Sequence, residues 1–290
     1  MSSWFHDLVA HAPVLLDGAW GTQLQARGLE AGASPDALNL DRPEVVVSVG
    51  RDYVEAGSGI ILTNTFGANR RILERHGLAD RVDAINRAGV RAGREAADGR
   101  ARVFGSVGPS GAMLMMGDVE PADLESVFAE QVSALADGGV DALVVETLAD
   151  LEEARIAVAA AVATGLPVVA CMAFDSGPDR DRTMMGVSVA EAAAAFADLG
   201  ASAVGANCGQ DVAGYIRLAE SFRTATPLPL WLKPNAGQPS SLEGKTVYAQ
   251  TPEAFAEGLA RLADLGVAFL GGCCGTSPEF IRAARERLGI

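Results

Sequence analysis

No apolar run of about 18 residues in this chain is free of charged side chains. The opening segment MSSWFHDLVAHAP likewise has no basic stretch ahead of an apolar one. These two absences argue against a membrane span and an export signal, and a cytoplasmic protein is expected. Histidine is scarce: His6, His11 and His76 fall outside every segment that reads as a strand end, so none is assigned a catalytic role. Basic residues are outnumbered, 23 Lys and Arg against 37 Asp and Glu, and a net charge of −14 repels phosphate backbones and anionic lipid surfaces. Neither nucleic acid nor a membrane is an expected partner. Arg91, Arg94, Arg100 and Arg102 are separated by acidic and small residues and read as a solvated helix face. Four cysteines, three of them in Gly-rich turns, fit metal binding in a reducing compartment better than a disulfide framework. A Pro/Ser-rich linker is also missing, and a single domain over residues 1–290 is expected.

What the chain does contain is a repeated alternation. With 49% apolar residues and only 6% aromatics, the composition suits a tightly packed α/β protein. Eight short β-type runs, at residues 13–16, 59–64, 102–107, 141–146, 167–174, 201–206, 229–233 and 267–271, are separated by longer intervening segments. Four of these carry alanine-rich helical spacing, over 120–136, 151–163, 188–199 and 251–265. The helix-to-strand junction recurs as Glu55-Ala56-Gly57, Asp137-Gly138-Gly139, Asp198-Leu199-Gly200 and Asp264-Leu265-Gly266, a glycine ending each helix before an apolar strand. Eight βα units in this length close as a (βα)8 TIM-type barrel; the competing arrangement is an open doubly wound sheet. Irregular pieces at 30–43, 108–121, 175–185 and 234–252 are expected on the catalytic rim.

A barrel gathers its strand ends on one face, and here those ends are polar. They read Asp17-Gly18, Thr63-Asn64-Thr65, Gly108-Pro109-Ser110, Glu146-Thr147, Asp175, Asn207-Cys208, Lys233-Pro234-Asn235 and Cys273-Cys274. Adjacent side chains on a regular strand point to opposite faces, but the glycines around Cys273 and Cys274 allow both thiols to aim at one point, with Cys208 arriving from another strand end. Three thiolates with an open fourth position describe a reactive zinc site. The plainer alternative is three small buried hydrophobes, as Cys171 in mid-strand is taken to be. A zinc bearing three thiolates is a poor activator of water and a good carrier of an electron-rich substrate sulfur, so displacement at an electrophilic carbon is expected. Asp17 and Glu146 suit a substrate ammonium, or else cap helices; backbone amides at Gly18, Gly21 or the 108–111 turn suit a carboxylate. Lys233 could form a Schiff base, though an ion pair or loop anchor is the plainer reading. Met113, Met115, Met116, Met184 and Met185 either line a donor channel or fill gaps in rim loops.

These motifs resemble the homocysteine S-methyltransferases, the zinc barrel family of betaine–homocysteine methyltransferase and of the homocysteine-binding module of cobalamin-dependent methionine synthase. The likeness runs from Asp17-Gly18-Ala19-Trp20-Gly21-Thr22 through Thr63-Asn64-Thr65-Phe66, Gly108-Pro109-Ser110-Gly111, Glu146-Thr147, Gly205-Ala206-Asn207-Cys208 and Lys233-Pro234-Asn235-Ala236-Gly237 to Gly271-Gly272-Cys273-Cys274-Gly275-Thr276. The resemblance implies zinc on Cys208, Cys273 and Cys274, homocysteine as the partner thiol and methionine as product. It implies catalytic roles for Asp17 and Glu146, and substrate contacts at Asp17, Gly18, Asn64, Thr65, Glu146 and Asn207. Betaine is disfavoured as donor, because Gly67 and Thr147 follow Phe66 and Glu146 where a quaternary ammonium calls for aromatic faces. A methyl-corrinoid carried on a separate protein, or S-methylmethionine, is expected instead. The competing activities are an aldolase-like barrel using Lys233 and a non-enzymatic thiol-binding or corrinoid-docking subunit.

Overall fold

The computed structural model describes residues 3–242 and 245–290. Its strands are β1 (Val14–Leu15), β2 (Ile60–Leu62), β3 (Arg102–Val107), β4 (Ala142–Leu148), β5 (Val168–Met172), β6 (Ala203–Asp211), β7 (Leu230–Asn235), β8 (Pro239–Leu242), β9 (Lys245–Tyr248) and β10 (Phe269–Leu270). Eight of them form one parallel sheet in the order β1-β10-β7-β6-β5-β4-β3-β2, and a parallel bridge from Leu16 to Ile60 brings its two edges together. The result is a (βα)8 TIM-type barrel rather than an open sheet. The four alanine-rich helices expected from spacing are present as Pro121–Gly138, Leu151–Val162, Val189–Asp198 and Pro252–Asp264. Neighbouring helices touch in sequence around the outside, and Pro278–Leu288 returns to Pro43–Ala56, so the outer layer closes as the sheet does. Junction glycines behave as the repeat predicts: Gly57 (φ 114°) and Gly139 (φ 91°) end their helices in the left-handed region.

Two apolar layers hold the barrel. Between sheet and helices lies a continuous core built from side chains such as Ile61, Val103, Leu143, Phe196 and Leu259. Inside the barrel, Phe104 stacks on Trp231 with ring centroids 5.8 Å apart, and Trp231 meets Phe269 at 5.4 Å. The helix Ser3–Ala10, which sequence patterning leaves unassigned, adds Phe5 to this interior cluster, 5.6 Å from Phe269. Phe5 is completely buried and meets residues in the first half of their strands, so it packs at the end of the barrel opposite the polar strand ends. Cys171 is fully buried among the same residues, as expected of a core thiol.

Several strand expectations need adjusting. β1 and β10 are only two residues each, because the chain leaves the ladder at Leu16-Asp17 and at Gly271 to build the rim. β4 and β6 run past their expected ends, with register breaks between Val145 and Leu148 and between Asn207 and Asp211. The segment 234–252, read as irregular, carries an antiparallel pair, β8 with β9, in register from Pro239↔Tyr248 to Leu242↔Lys245. Its strands are short and lack apolar alternation, which is why periodicity missed them.

Candidate active site

Asp17 follows β1 and is fully buried. Its Oδ1 accepts from Lys233 Nζ at 2.5 Å, and its Oδ2 accepts from Trp20 Nε1 and the Leu62 amide, both at 2.7 Å. Lys233 is 3% exposed and shares one face of β7 with Trp231 below it and Asn235 above. Burial alone would depress the Lys233 ammonium, yet the Asp17 and Glu146 carboxylates hold it above its ordinary value. A protonated, ion-paired lysine is a poor Schiff-base nucleophile, so the pairing favours the anchor reading of Lys233.

Glu146 sits across the mouth on β4. Its Oε1 accepts from Ser106 Oγ at 2.6 Å and its Oε2 from Asn207 Nδ2 at 3.2 Å. Burial pushes its carboxyl above the ordinary range against the pull of Lys233 and Ser106. Thr147 stands at φ 64°, a left-handed conformation unusual for a β-branched residue, and is held there by Asn207, whose Oδ1 accepts from the Thr147 amide at 2.8 Å. Asn207 Nδ2 also reaches Thr147 Oγ1 at 2.6 Å. The two register breaks therefore serve one cross-strand clamp between β4 and β6.

Cys208 follows, at φ 64°, with its carbonyl accepting from Tyr215 Oη at 2.7 Å. The Cys273-Cys274 turn is tied to its neighbours through the backbone: the Cys273 amide donates to Pro234 O at 2.8 Å, the Ala236 amide to Cys274 O at 2.9 Å, and the Gly272 amide to Asp17 O at 3.0 Å. The sulfurs of Cys208, Cys273 and Cys274 consequently all lie within 4.8 Å of one another, with Cys208 and Cys274 at 3.6 Å. Tetrahedral zinc with Zn–S of about 2.3 Å requires sulfurs about 3.8 Å apart, so this trio has the dimensions of a metal-binding group. Hydrogen bonds from the other two thiols draw Cys208 down to about 3, while the same contacts with Cys208, reinforced by burial, push Cys273 up and Cys274 to about 11.

The remaining expected residues fall into two groups. Gly18 lies at the mouth, where a Cβ would stand 2.7 Å from Thr276 Oγ1 and 2.9 Å from Tyr53 Oη. Asn64 and Thr65 point into the wall. Asn64 Nδ2 donates to Pro35 O at 2.8 Å and Asn39 Oδ1 at 3.0 Å, pinning the 30–43 loop. Thr65 is fully buried, its Oγ1 donating to Ser106 O at 2.8 Å. Motif reading assigned no role to three further residues of the mouth. Ser106 bonds Glu146; Asn235, 5% exposed, ends β7 with its Oδ1 buried and unpartnered; and the ring of Tyr248 of β9 lies over Gly275. The position of Asn235 two residues beyond Lys233, on the same strand face, was a signal available in the sequence.

A homocysteine S-methyltransferase family profile matches residues 14–288. The chain belongs to the homocysteine S-methyltransferase family. The family's description names homocysteine, the methyl acceptor expected from the motifs. The chain is similar to methionine synthase of Mycobacterium tuberculosis, 32% identical over 95% of this chain and 24% of that protein, so it spans about a quarter of that relative. Betaine–homocysteine S-methyltransferase 1 of Mus musculus is also 32% identical, over 95% of this chain and 72% of its own length. Among solved structures, the metallated form of the Escherichia coli homocysteine methyltransferase MmuM superposes with a TM-score of 0.82 at 26% identity, covering 98% of this chain and 99% of that one. Among the described residues, no helix is long and apolar enough to cross a membrane.

Proposed function

We propose that the chain holds one zinc ion through Cys208, Cys273 and Cys274 and methylates homocysteine to methionine at that site. The observation that carries this reading is the convergence of three thiol sulfurs from β6 and the turn after β10 beside two buried carboxylates. When bound, zinc supplies the Lewis acidity that lets a thiol of ordinary pKa near ~8.5 present an unprotonated sulfur at neutral pH. The chain's own residues do the rest. Asp17 and Glu146 place two carboxylates against the single ammonium of Lys233, which leaves one negative charge for the substrate's ammonium. Asp17 is already held by three donors, so Glu146, whose Oε2 has a single long hydrogen bond, is the acid that takes the ammonium, and Asp17 fixes Lys233 and the local field. The backbone at Gly18 receives the carboxylate in this reading, and Asn207 keeps the Glu146-Thr147 corner rigid. Asn64 and Thr65 contribute by shaping the wall. Orientation of sulfur and donor carbon in line supplies much of the acceleration.

The donor enters over a rim on which Phe66, Met113, Met116 and Met184 are exposed. A methyl-corrinoid on a separate protein is the first donor to test and S-methylmethionine the second, with betaine disfavoured by Gly67 and Thr147. The test incubates zinc-loaded protein and homocysteine with each donor and measures methionine. Cys208→Ala is expected to lose both zinc and turnover; a metal-free Cys208→Ala protein with full activity overturns the mechanism.

A further inference from the structure

In the reading above homocysteine is held at both ends, by its sulfur at the thiol cluster and by its carboxylate at the Gly18 backbone. A rigid site accepts only thiols whose chain length matches the separation of those two points. What fixes that separation lies behind the mouth, in two buried hydroxyls that take no part in the mechanism.

Thr276 is fully buried and stands between the two loops. Its Oγ1 donates to Cys273 O at 2.7 Å and accepts from the Ala19 amide at 3.1 Å. One oxygen atom thus ties the turn that carries Cys273 and Cys274 to the turn that follows β1. Glycine on both sides makes room for it: a Cβ on Gly18 would stand 2.7 Å from Thr276 Oγ1, and one on Gly272 would stand 2.4 Å from it. Tyr53, fully buried on the helix Pro43–Ala56, completes the tie, its Oη donating to Ala19 O at 2.7 Å. Both polar backbone groups of Ala19 are therefore committed to hydroxyls of the wall. The Gly18-Ala19 turn is held in place relative to the sulfurs.

Resting on that two-ended reading of homocysteine, we infer that Thr276, backed by Tyr53, is a positioning residue that sets the distance between the carboxylate and sulfur sites and so selects homocysteine over thiols with a shorter chain. A displacement of about 1 Å is enough to spoil such a fit. Cysteine, shorter by a methylene, does not reach both points. Loss of the Thr276 hydroxyl releases the Ala19 amide, lets the turn shift and costs homocysteine the advantage of its length.

Calorimetry on zinc-loaded wild type, Thr276→Val, Thr276→Ser and Tyr53→Phe tests this, with L-homocysteine, L-cysteine and homocysteamine as ligands. Homocysteamine has the homocysteine chain without its carboxylate. Thr276→Val nearly keeps the side-chain volume and removes the hydroxyl. It is expected to cut the preference for homocysteine over cysteine about tenfold, near the worth of one hydrogen bond, and to leave homocysteamine binding unchanged. Thr276→Ser retains the hydroxyl and is expected to keep the wild-type preference. Tyr53→Phe is expected to shift the preference in the same direction as Thr276→Val, and it decides the question if that variant fails to fold. An unchanged preference in these two variants, or an equal loss for all three ligands as general loosening would give, overturns the inference. Wild-type protein that binds none of the thiols overturns the homocysteine reading itself, and wild-type protein that binds homocysteamine as tightly as homocysteine overturns the carboxylate placement, so the failures are distinguishable.

Discussion

At the scale of single residues, the Lys233–Asp17 pair shows how buried charge is tolerated here. Both side chains are essentially inaccessible, and each is bearable only because the other is present. Lys233→Met leaves Asp17 and Glu146 without their cation and is expected to lower unfolding free energy by about 3–5 kcal/mol. Adding Asp17→Asn to that variant should return part of the loss. Urea denaturation of the single and double variants checks both, and an unaltered midpoint in Lys233→Met would show that the pair contributes nothing. Gly205 makes a related point about space. Its neighbour on β7 is so close that a Cβ would stand 1.8 Å from the Trp231 carbonyl oxygen, so glycine is what allows β6 to carry Asn207 and Cys208 against β7.

At the scale of elements, the helix Ser3–Ala10 is the part of the architecture that hydropathy patterning does not assign. Its contribution is one buried aromatic ring that completes a cluster made by β3, β7 and β10. Phe5→Ala removes that ring from a fully enclosed position and is expected to cost about 3–5 kcal/mol. Thermal or urea unfolding of the variant measures the loss, and a loss below 1 kcal/mol would mean that the helix merely rests on the barrel. The outer helices were far easier to read. Their 3.6-residue apolar spacing and terminal glycines are local signals, and local signals survive without knowledge of the fold. The β8–β9 pair had no such signal, because four-residue strands in a polar loop offer too few positions to show a period of two.

For the molecule as a whole, the buried acids determine how stability responds to pH. Asp36, 3% exposed, is pushed by burial from 3.8 to about 6, against hydrogen bonds including that from the Gly67 amide. Burial raises Glu146 and Glu153 as well. For such groups the folded state binds the proton more tightly than the unfolded chain. Their contribution is therefore fully present below the unfolded value and is lost as pH rises through the folded one. For Asp36 the window runs from about 4 to about 6, and the shift is worth about 3 kcal/mol. Asp36→Asn, which retains an acceptor for Gly67, is expected to be more stable than wild type at pH 8 by up to that amount and equal to it below pH 4. Parallel urea midpoints for the two proteins across that range would contradict this.

The sequence by itself determined the barrel, its order of strands and helices, the three converging cysteines and the family, because each depends on short-range periodicity or on a compact motif. Tertiary structure alone decided which polar groups pair across the mouth. Lys233 meets Asp17 across 216 residues of chain, Asn64 and Thr65 turn into the wall, and Asn235 and Tyr248 are brought to the mouth by β7 and β9. The physical reason is that burial and partnership at a strand end follow from how the sheet closes and where its register breaks. That closure depends on all eight strands at once, so no local stretch of residues encodes it.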